Sequence, residues 1–398
     1  MRSLYVAGDT WLHRLKPAIK LTALAVFAVA VFATRSPVVP GAALVLAAFV
    51  YFGLGQPLRS AMRPLLPILL TVAVVALFNL IVNSADEALL TLLRLSALVL
   101  MAAAVTATTG ISDFIDTIAA AARPLERAGL VKASDIGLAV GLVIRFVPEI
   151  LARYQAIREA HAARGLAVRP STLLGPLVIQ TLKDADSIAA AIDARGIRVN
   201  EQKSRGFPKE AAMNTRDLVL VALFAAIIVV LGLVPPIMLP FNVPISAQTL
   251  GVMLAGVILG AKRGALAPVL VIILVAIGLP VLSGGRGGLA VFAGPTVGFL
   301  IGWVPGAYVT GQIAERFGKP AMEALPQTLG FFAASVIGGI VVVYLFGVGY
   351  LAFGAGLGLS KAFMGSLAFI PGDLIKAAIA ALAGRAVMVG YPLLPHRA

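Results

Sequence analysis

Apolar stretches dominate the chain, and polar punctuation separates them at intervals suited to membrane-crossing helices. The first four run from about Lys20 to Thr34, Val38 to Leu54, Pro64 to Val82 and Leu89 to Thr109. Lipid gives a bare backbone no hydrogen-bond partner, so each run of ~20 apolar residues predicts a spanning helix. From Ser112 to Val199 charges interrupt the apolar positions at helical spacing, as in Ile144-Arg145-Phe146-Val147-Pro148-Glu149 and Thr181-Leu182-Lys183-Asp184-Ala185-Asp186. That pattern predicts amphipathic helices lying along the membrane surface. A polar stretch over residues 198–210 follows and reads as a linker. Six further runs lie at about Leu218 to Val234, Pro244 to Ala261, Ala265 to Leu282, Val291 to Gly311, Pro326 to Gly347 and Pro371 to Val389.

The expected fold is therefore an all-α polytopic membrane protein. A four-span module occupies residues 1–200, with surface helices at about 112–197. A linker at 201–212 leads to a six-span module at 213–398. The first run begins only at Lys20-Leu21 and is followed by many others, so it predicts a permanent span and not a cleaved signal.

Composition agrees with the pattern: 60% of the 398 residues are hydrophobic and 13% are charged. The mean hydropathy is +0.99, far from the balance of a soluble domain. There is no cysteine, which removes disulfides, thiolate nucleophiles and cysteine metal sites together. The net charge of +14 is better explained by Lys and Arg gathering on cytoplasmic loops than by nucleic-acid binding. With the linker in the cytoplasm, Lys262, Arg263, Arg316, Lys319, Arg385 and Arg397 share its side, leaving Arg286, Lys361 and Lys376 outward. His13, Arg14, Lys16, Arg59 and Arg63 fall inside as well. Both termini, the surface helices and the linker are thus expected in the cytoplasm of a bacterial inner-membrane protein.

Ala163-Arg164-Gly165 and Ala194-Arg195-Gly196 each end a surface helix. One alone reads as a basic helix end closed by a glycine cap. Two at corresponding ends, both cytoplasmic, raise the odds of a functional role, and the planar fork of Arg can lock onto carboxylates or carbonyls. With Gly8-Asp9-Thr10-Trp11-Leu12-His13-Arg14-Leu15-Lys16-Pro17 and Arg145-Phe146-Val147-Pro148, these motifs make residues 1–200 resemble the transmembrane T component of energy-coupling factor (ECF) vitamin transporters. The resemblance implies that the Arg motifs insert into a pair of cytoplasmic ABC-type ATPases. Many T components add a final span after the second Arg motif; here the linker comes instead.

From Leu218 onward only Glu315, Glu323 and Asp373 are acidic. Asp373 follows Pro371-Gly372, which should start the last helix and set the acid near its positive end. Lys376 then lies one turn away on the same face. An exposed pair of this kind is usually a cap salt-bridged to its neighbour. Ionisable groups entering a membrane region are more often functional. The glycine-rich loop Ser283-Gly284-Gly285-Arg286-Gly287-Gly288-Leu289 supplies another outward cation.

That loop continues into Ala290-Val291-Phe292-Ala293-Gly294-Pro295-Thr296, and the stretch strongly resembles the biotin-binding S component of the same transporters, the BioY family. Pro244-Ile245-Ser246-Ala247-Gln248-Thr249-Leu250 and Phe369-Ile370-Pro371-Gly372-Asp373-Leu374-Ile375-Lys376 are similar to it too. Val297 stands where a glycine is common. The resemblance implies biotin as the transported ligand. Asp373 would accept from the ureido N–H groups, and Arg286 or Lys376 would hold the carboxylate. Phe292 and Pro295 would wall the ring, and Gln248 and Thr296 would make the remaining polar contacts. Ala222 and Ala226 form a small-xxx-small face, which the family uses to dock S on T and which composition alone could also produce.

The expectation is a natural fusion of T and S components, without a covalently bound cofactor. No Gly-x-x-x-x-Gly-Lys-Ser/Thr loop occurs, so ATP use is expected on a separate partner chain. Uptake of another vitamin is the alternative within the class. An ion-coupled secondary transporter would show similar halves and mid-membrane acids. An intramembrane enzyme would want clustered acids or histidines, whereas His13, His161 and His396 are scattered.

Overall fold

The computed structural model describes residues 6, 8–34, 36–82, 84–110, 113–114, 116–117, 120, 133–163, 170–196, 213–234, 237–239, 243–318 and 322–394. Each of the expected apolar runs contains a helix over much of its length. In the first half these are α1 (Pro17–Ala33), α2 (Val38–Phe52), α3 (Leu58–Val82) and α4 (Ala85–Ala107). Ser84 caps α4 by accepting from the Glu87 amide at 3.2 Å, and Asp86 and Glu87 stand in its first turn, where the dipole favours acids. The amphipathic region yields two long helices, α5 (Ala133–Ala163) and α6 (Pro170–Ala194).

The second half contains α7 (Thr215–Leu233), α8 (Gln248–Leu259), α9 (Ala261–Ala276), α10 (Val297–Phe317), α11 (Ala324–Val336), α12 (Leu359–Ser366) and α13 (Ile370–Gly390). α11 continues as far as Gly354 through two π-helical stretches, Ile337–Val342 and Tyr350–Gly354. The first contains Gly338, where an added Cβ would lie 2.4 Å from the Gly306 carbonyl oxygen. Only a bare backbone lets this segment approach α10 so closely. Among the described residues, the expected all-helical class gains a short antiparallel ribbon, Ile237–Leu239 with Val243–Ile245. It takes up the start of the run from Pro244, so α8 begins only at Gln248.

Among the described residues, five helical segments are long and apolar enough to cross a membrane: Ala85–Ala107, Thr215–Leu233, Val297–Phe317, Ala324–Gly354 and Leu359–Gly390. Shorter apolar helices are Pro17–Ala33, Val38–Phe52, Ala61–Leu77 and Gln248–Leu259. Large apolar side chains such as Phe49, Leu345, Phe353 and Val389 are left exposed, as a surface bathed in lipid tolerates. The chain is an integral membrane protein.

Two compact units divide the chain, and each draws on both halves of the sequence. The first contains Met1–Ile118, Ile272–Gly302 and Tyr344–Ala368. In it α4 packs against α1, α2 and α3, and also against a 3-10 turn at Leu289–Ala293. The second contains Ala119–Val271, Trp303–Val343 and Phe369–Ala398. Its centre is α7, which is buried continuously from Leu218 to Val229 and packs against α5, α6 and α8. α13 completes it by packing on α8, α11 and α6.

Candidate functional site

The candidate residues form two groups, one in each compact unit. In the second unit the first turns of α8 and α13 come together. Pro371 occupies an early position of α13, where its missing N–H costs nothing, and Asp373 follows in the first turn. Asp373 is 5% exposed, a depth at which an unpaired carboxylate would be strongly disfavoured. Lys376 supplies the partner, with its Nζ 2.8 Å from Asp373 Oδ1. The same ammonium donates to Thr249 Oγ1 at 3.0 Å, and the Thr249 hydroxyl donates to Asp373 Oδ1 at 3.3 Å. Acid, base and hydroxyl therefore close a small ring of hydrogen bonds. Gln248, 2% exposed, donates from its amide nitrogen to the Ile228 carbonyl at 3.4 Å.

Thr249 is the member of this group that residue chemistry did not single out. It lies beside Gln248, and a helical turn that points one side chain at the core of α7 leaves its neighbour for α13. The one-turn spacing of Asp373 and Lys376 did place those two on a common face, and their side chains, 6% and 12% exposed, are desolvated together. A pair this buried is not the weak exposed kind; removing either partner would strand the other.

In the first unit the glycine-rich loop is an ordered turn. The Leu282 amide donates to the Arg286 carbonyl at 3.0 Å, and the Arg286 Nε donates to the Ser283 carbonyl at 3.1 Å. Arg286 Nη1 reaches Thr296 Oγ1 at 3.5 Å. Burial pushes the Arg286 guanidinium below its usual value, although a guanidinium stays charged under any ordinary condition. Phe292 is half-buried in the 3-10 turn and Pro295 is buried just after it. The loop also meets the first half of the sequence: the Leu289 amide donates to Thr106 Oγ1 of α4 at 2.9 Å.

The coupling motifs are partly covered. Arg164 and Gly165 lie outside the described residues, and Ala163 is the last described residue of α5. At the other motif α6 ends at Ala194, Gly196 adopts φ +66 as a left-handed cap, and Arg195 is exposed. The cap reading and the coupling reading are thus compatible, since the capped turn presents the Arg to solvent. Ala222 and Ala226 are both 0% exposed on α7. Both lie within the helix that packs on α5 and α6.

A helical membrane scaffold with an internally paired acid and base, together with two long helices of which the second is followed by an exposed Arg195, is an arrangement that suits a membrane transport component. Comparison with known proteins makes that specific. Residues 8–204 match the family described as "Cobalt transport protein", CbiQ, and residues 203–392 match the BioY family. The Biotin transporter BioY of Rhizobium etli is 69% identical over 187 residues, covering 47% of this chain and 100% of that protein. The Energy-coupling factor transporter transmembrane protein BioN of the same organism is 59% identical over 198 residues, covering 50% of this chain and 98% of that protein. A crystal structure of the S-component for biotin from an ECF-type ABC transporter matches at 33% identity, covering 44% of this chain and 93% of that one, with a TM-score of 0.40. The chain belongs to the BioY family through its second half and to the BioN-like T components through its first.

Proposed function

We propose that this chain takes up biotin as the membrane part of an ATP-driven ECF transporter, with the T and S components fused. The observation that carries the reading is the full-length similarity of the second half to a protein named as a biotin transporter, at 69% identity. The proposed modules are residues 1–200, a linker at 201–212 and residues 213–398.

Biotin presents two ureido N–H donors, an apolar ring and a carboxylated tail. Asp373 supplies acceptor oxygens to the ureido group, and Lys376 pairs with that carboxylate in its buried setting. The tail carboxylate needs a cation, for which Arg286 and Lys376 are the candidates, while Phe292 and Pro295 offer apolar wall. Gln248, Thr249 and Thr296 complete the polar contacts. Ligand enters from outside, with both termini and the coupling helices in the cytoplasm. Closure of a pair of ABC-type ATPase subunits, on separate chains, is passed through Arg164 and Arg195 and tips the second module to release biotin inward. Ala222 and Ala226 let α7 dock closely on the coupling helices.

Reconstitution with and without an ATPase partner tests this reading. Biotin uptake that needs both the partner and ATP supports it. Uptake that follows an ion gradient without ATP would replace it with a secondary transporter.

A further inference from the structure

Resting on the transport reading above, we propose that Asp186 and Asp193 of α6 form a polar joint with Thr215 and Arg216. Through this joint the second coupling helix holds and moves the second half. Arg216 meets Asp186 bidentately, Nε to Oδ1 at 2.7 Å and Nη2 to Oδ2 at 3.0 Å. Two turns further along α6, Asp193 Oδ1 accepts from the Thr215 hydroxyl at 2.6 Å. Asp193 lies two residues before Arg195, so one helix carries the coupling Arg at its end and the joint just behind it.

The joint extends on both sides. Arg153 of α5 pairs with Asp184 and, at 3.7 Å, with Glu149, which fastens the two coupling helices to each other. On the far side Asp217 pairs with Arg263 Nη1 at 3.0 Å, and Arg263 Nη2 donates to the Leu393 carbonyl at 2.7 Å. Arg216 Nη2 also donates to the Tyr391 hydroxyl at 3.3 Å. Consecutive residues Thr215, Arg216 and Asp217 thereby link α6 to the start of α9 and to the end of α13. The apolar packing of α7 on α5 and α6 has no directional preference, since closely packed apolar faces can slide. A planar fork on a carboxylate fixes register and transmits displacement along one direction. The joint lies close to the end of α6 and at the start of α7. The position of the second half is then set by the joint, and the connection acts as a tether that raises effective concentration.

The experiment uses the full chain with its ATPase partner in vesicles, measuring ATP-driven biotin uptake and, separately, biotin binding. Asp186→Arg and Arg216→Asp should each lower uptake ~10-fold while binding stays within ~2-fold, and the swapped double variant should restore uptake to within ~3-fold of the starting chain. Single variants with full uptake, or a swap as poor as the singles while binding is intact, would overturn the joint. Because the chain has no cysteine, Asp186→Cys with Arg216→Cys gives an independent readout. After cleavage at a protease site placed in residues 201–212, a short bifunctional maleimide should join the halves. Halves that stay separate would also overturn the proposal. If the starting chain neither binds nor imports biotin, the transport reading fails, and crosslinking alone then decides the joint.

Discussion

The amide of Leu289 donates to the hydroxyl oxygen of Thr106 at 2.9 Å, across 183 residues of sequence. Thr106 is 2% exposed and its own hydroxyl donates to the Ala102 carbonyl at 3.0 Å, so one side chain satisfies a bond within α4 and a bond to the glycine-rich loop. Gly288, at φ +79, sits against it; an added Cβ would lie 2.9 Å from the Thr106 methyl. Thr106→Val keeps the volume and leaves the Leu289 N–H unpaired, a loss of about 1–3 kcal/mol. Gly288→Ala adds backbone strain to the same clash and should cost more. Thermal unfolding of both variants, with Thr106→Ser as the control that keeps the hydroxyl, checks the order Ser, Val, Ala from mildest to worst.

Asp373 and Lys376 behave as a unit because the acid is buried and the base is largely shielded beside it. Asp373→Ala strands the Lys376 ammonium and should destabilise the chain by about 3–5 kcal/mol. Asp373→Asn with Lys376→Met removes both charges together and should recover much of that loss. Ligand capture should be absent in both variants. Thermal unfolding beside a binding measurement separates the two effects; a double variant that captures biotin normally would remove the pair from the site.

Ala222 and Ala226 have no accessible surface. A leucine at either position overfills a close helix contact, at a typical cost of about 1–3 kcal/mol. Ala222→Leu and Ala226→Leu should lower ATP-driven uptake more than they lower biotin binding, whereas Ala222→Gly should leave uptake nearly intact. Uptake in vesicles and equilibrium binding on the same preparations give the comparison.

Arg195 is exposed at the capped end of α6, so its removal has little to unsettle in the fold. Arg195→Ala should leave the unfolding temperature unchanged within about 0.5 kcal/mol of stability, the usual effect of a surface substitution. ATP-driven uptake should fall, and fall further with Arg164→Ala. Full uptake in the double variant would remove both residues from the coupling path.

Helix positions were legible because lipid forces apolar runs of sufficient length, and each run from Lys20 to Val389 contains a helix. The Pro371-Gly372 break and the turn between Asp373 and Lys376 were legible for the same local reason: capping and one-turn spacing are short-range rules. What the pattern did not show is partner choice between distant segments. Asp184 and Asp186 read as charges interrupting an amphipathic surface helix, and nothing in their spacing, or in that of Asp193, points to Arg153, Thr215 or Arg216. Thr106 looked like any small polar residue in a span, and Thr249 gave no charge to draw attention. The ribbon at Val243–Ile245 was hidden within an apolar run because a short strand and a helix end look alike at that length. The mixing of both sequence halves within each compact unit has the same origin, since packing between helices far apart in sequence leaves no periodic trace.

Binding of labelled ligand to the purified full chain bears most directly on the assignment. Saturable capture of biotin, displaced by excess biotin and not by thiamin, riboflavin or folate, and lost when Asp373 and Arg286 are neutralised together, is the expected result. Saturable capture of one of the other vitamins in place of biotin, or unchanged capture in the neutralised variant, would contradict it.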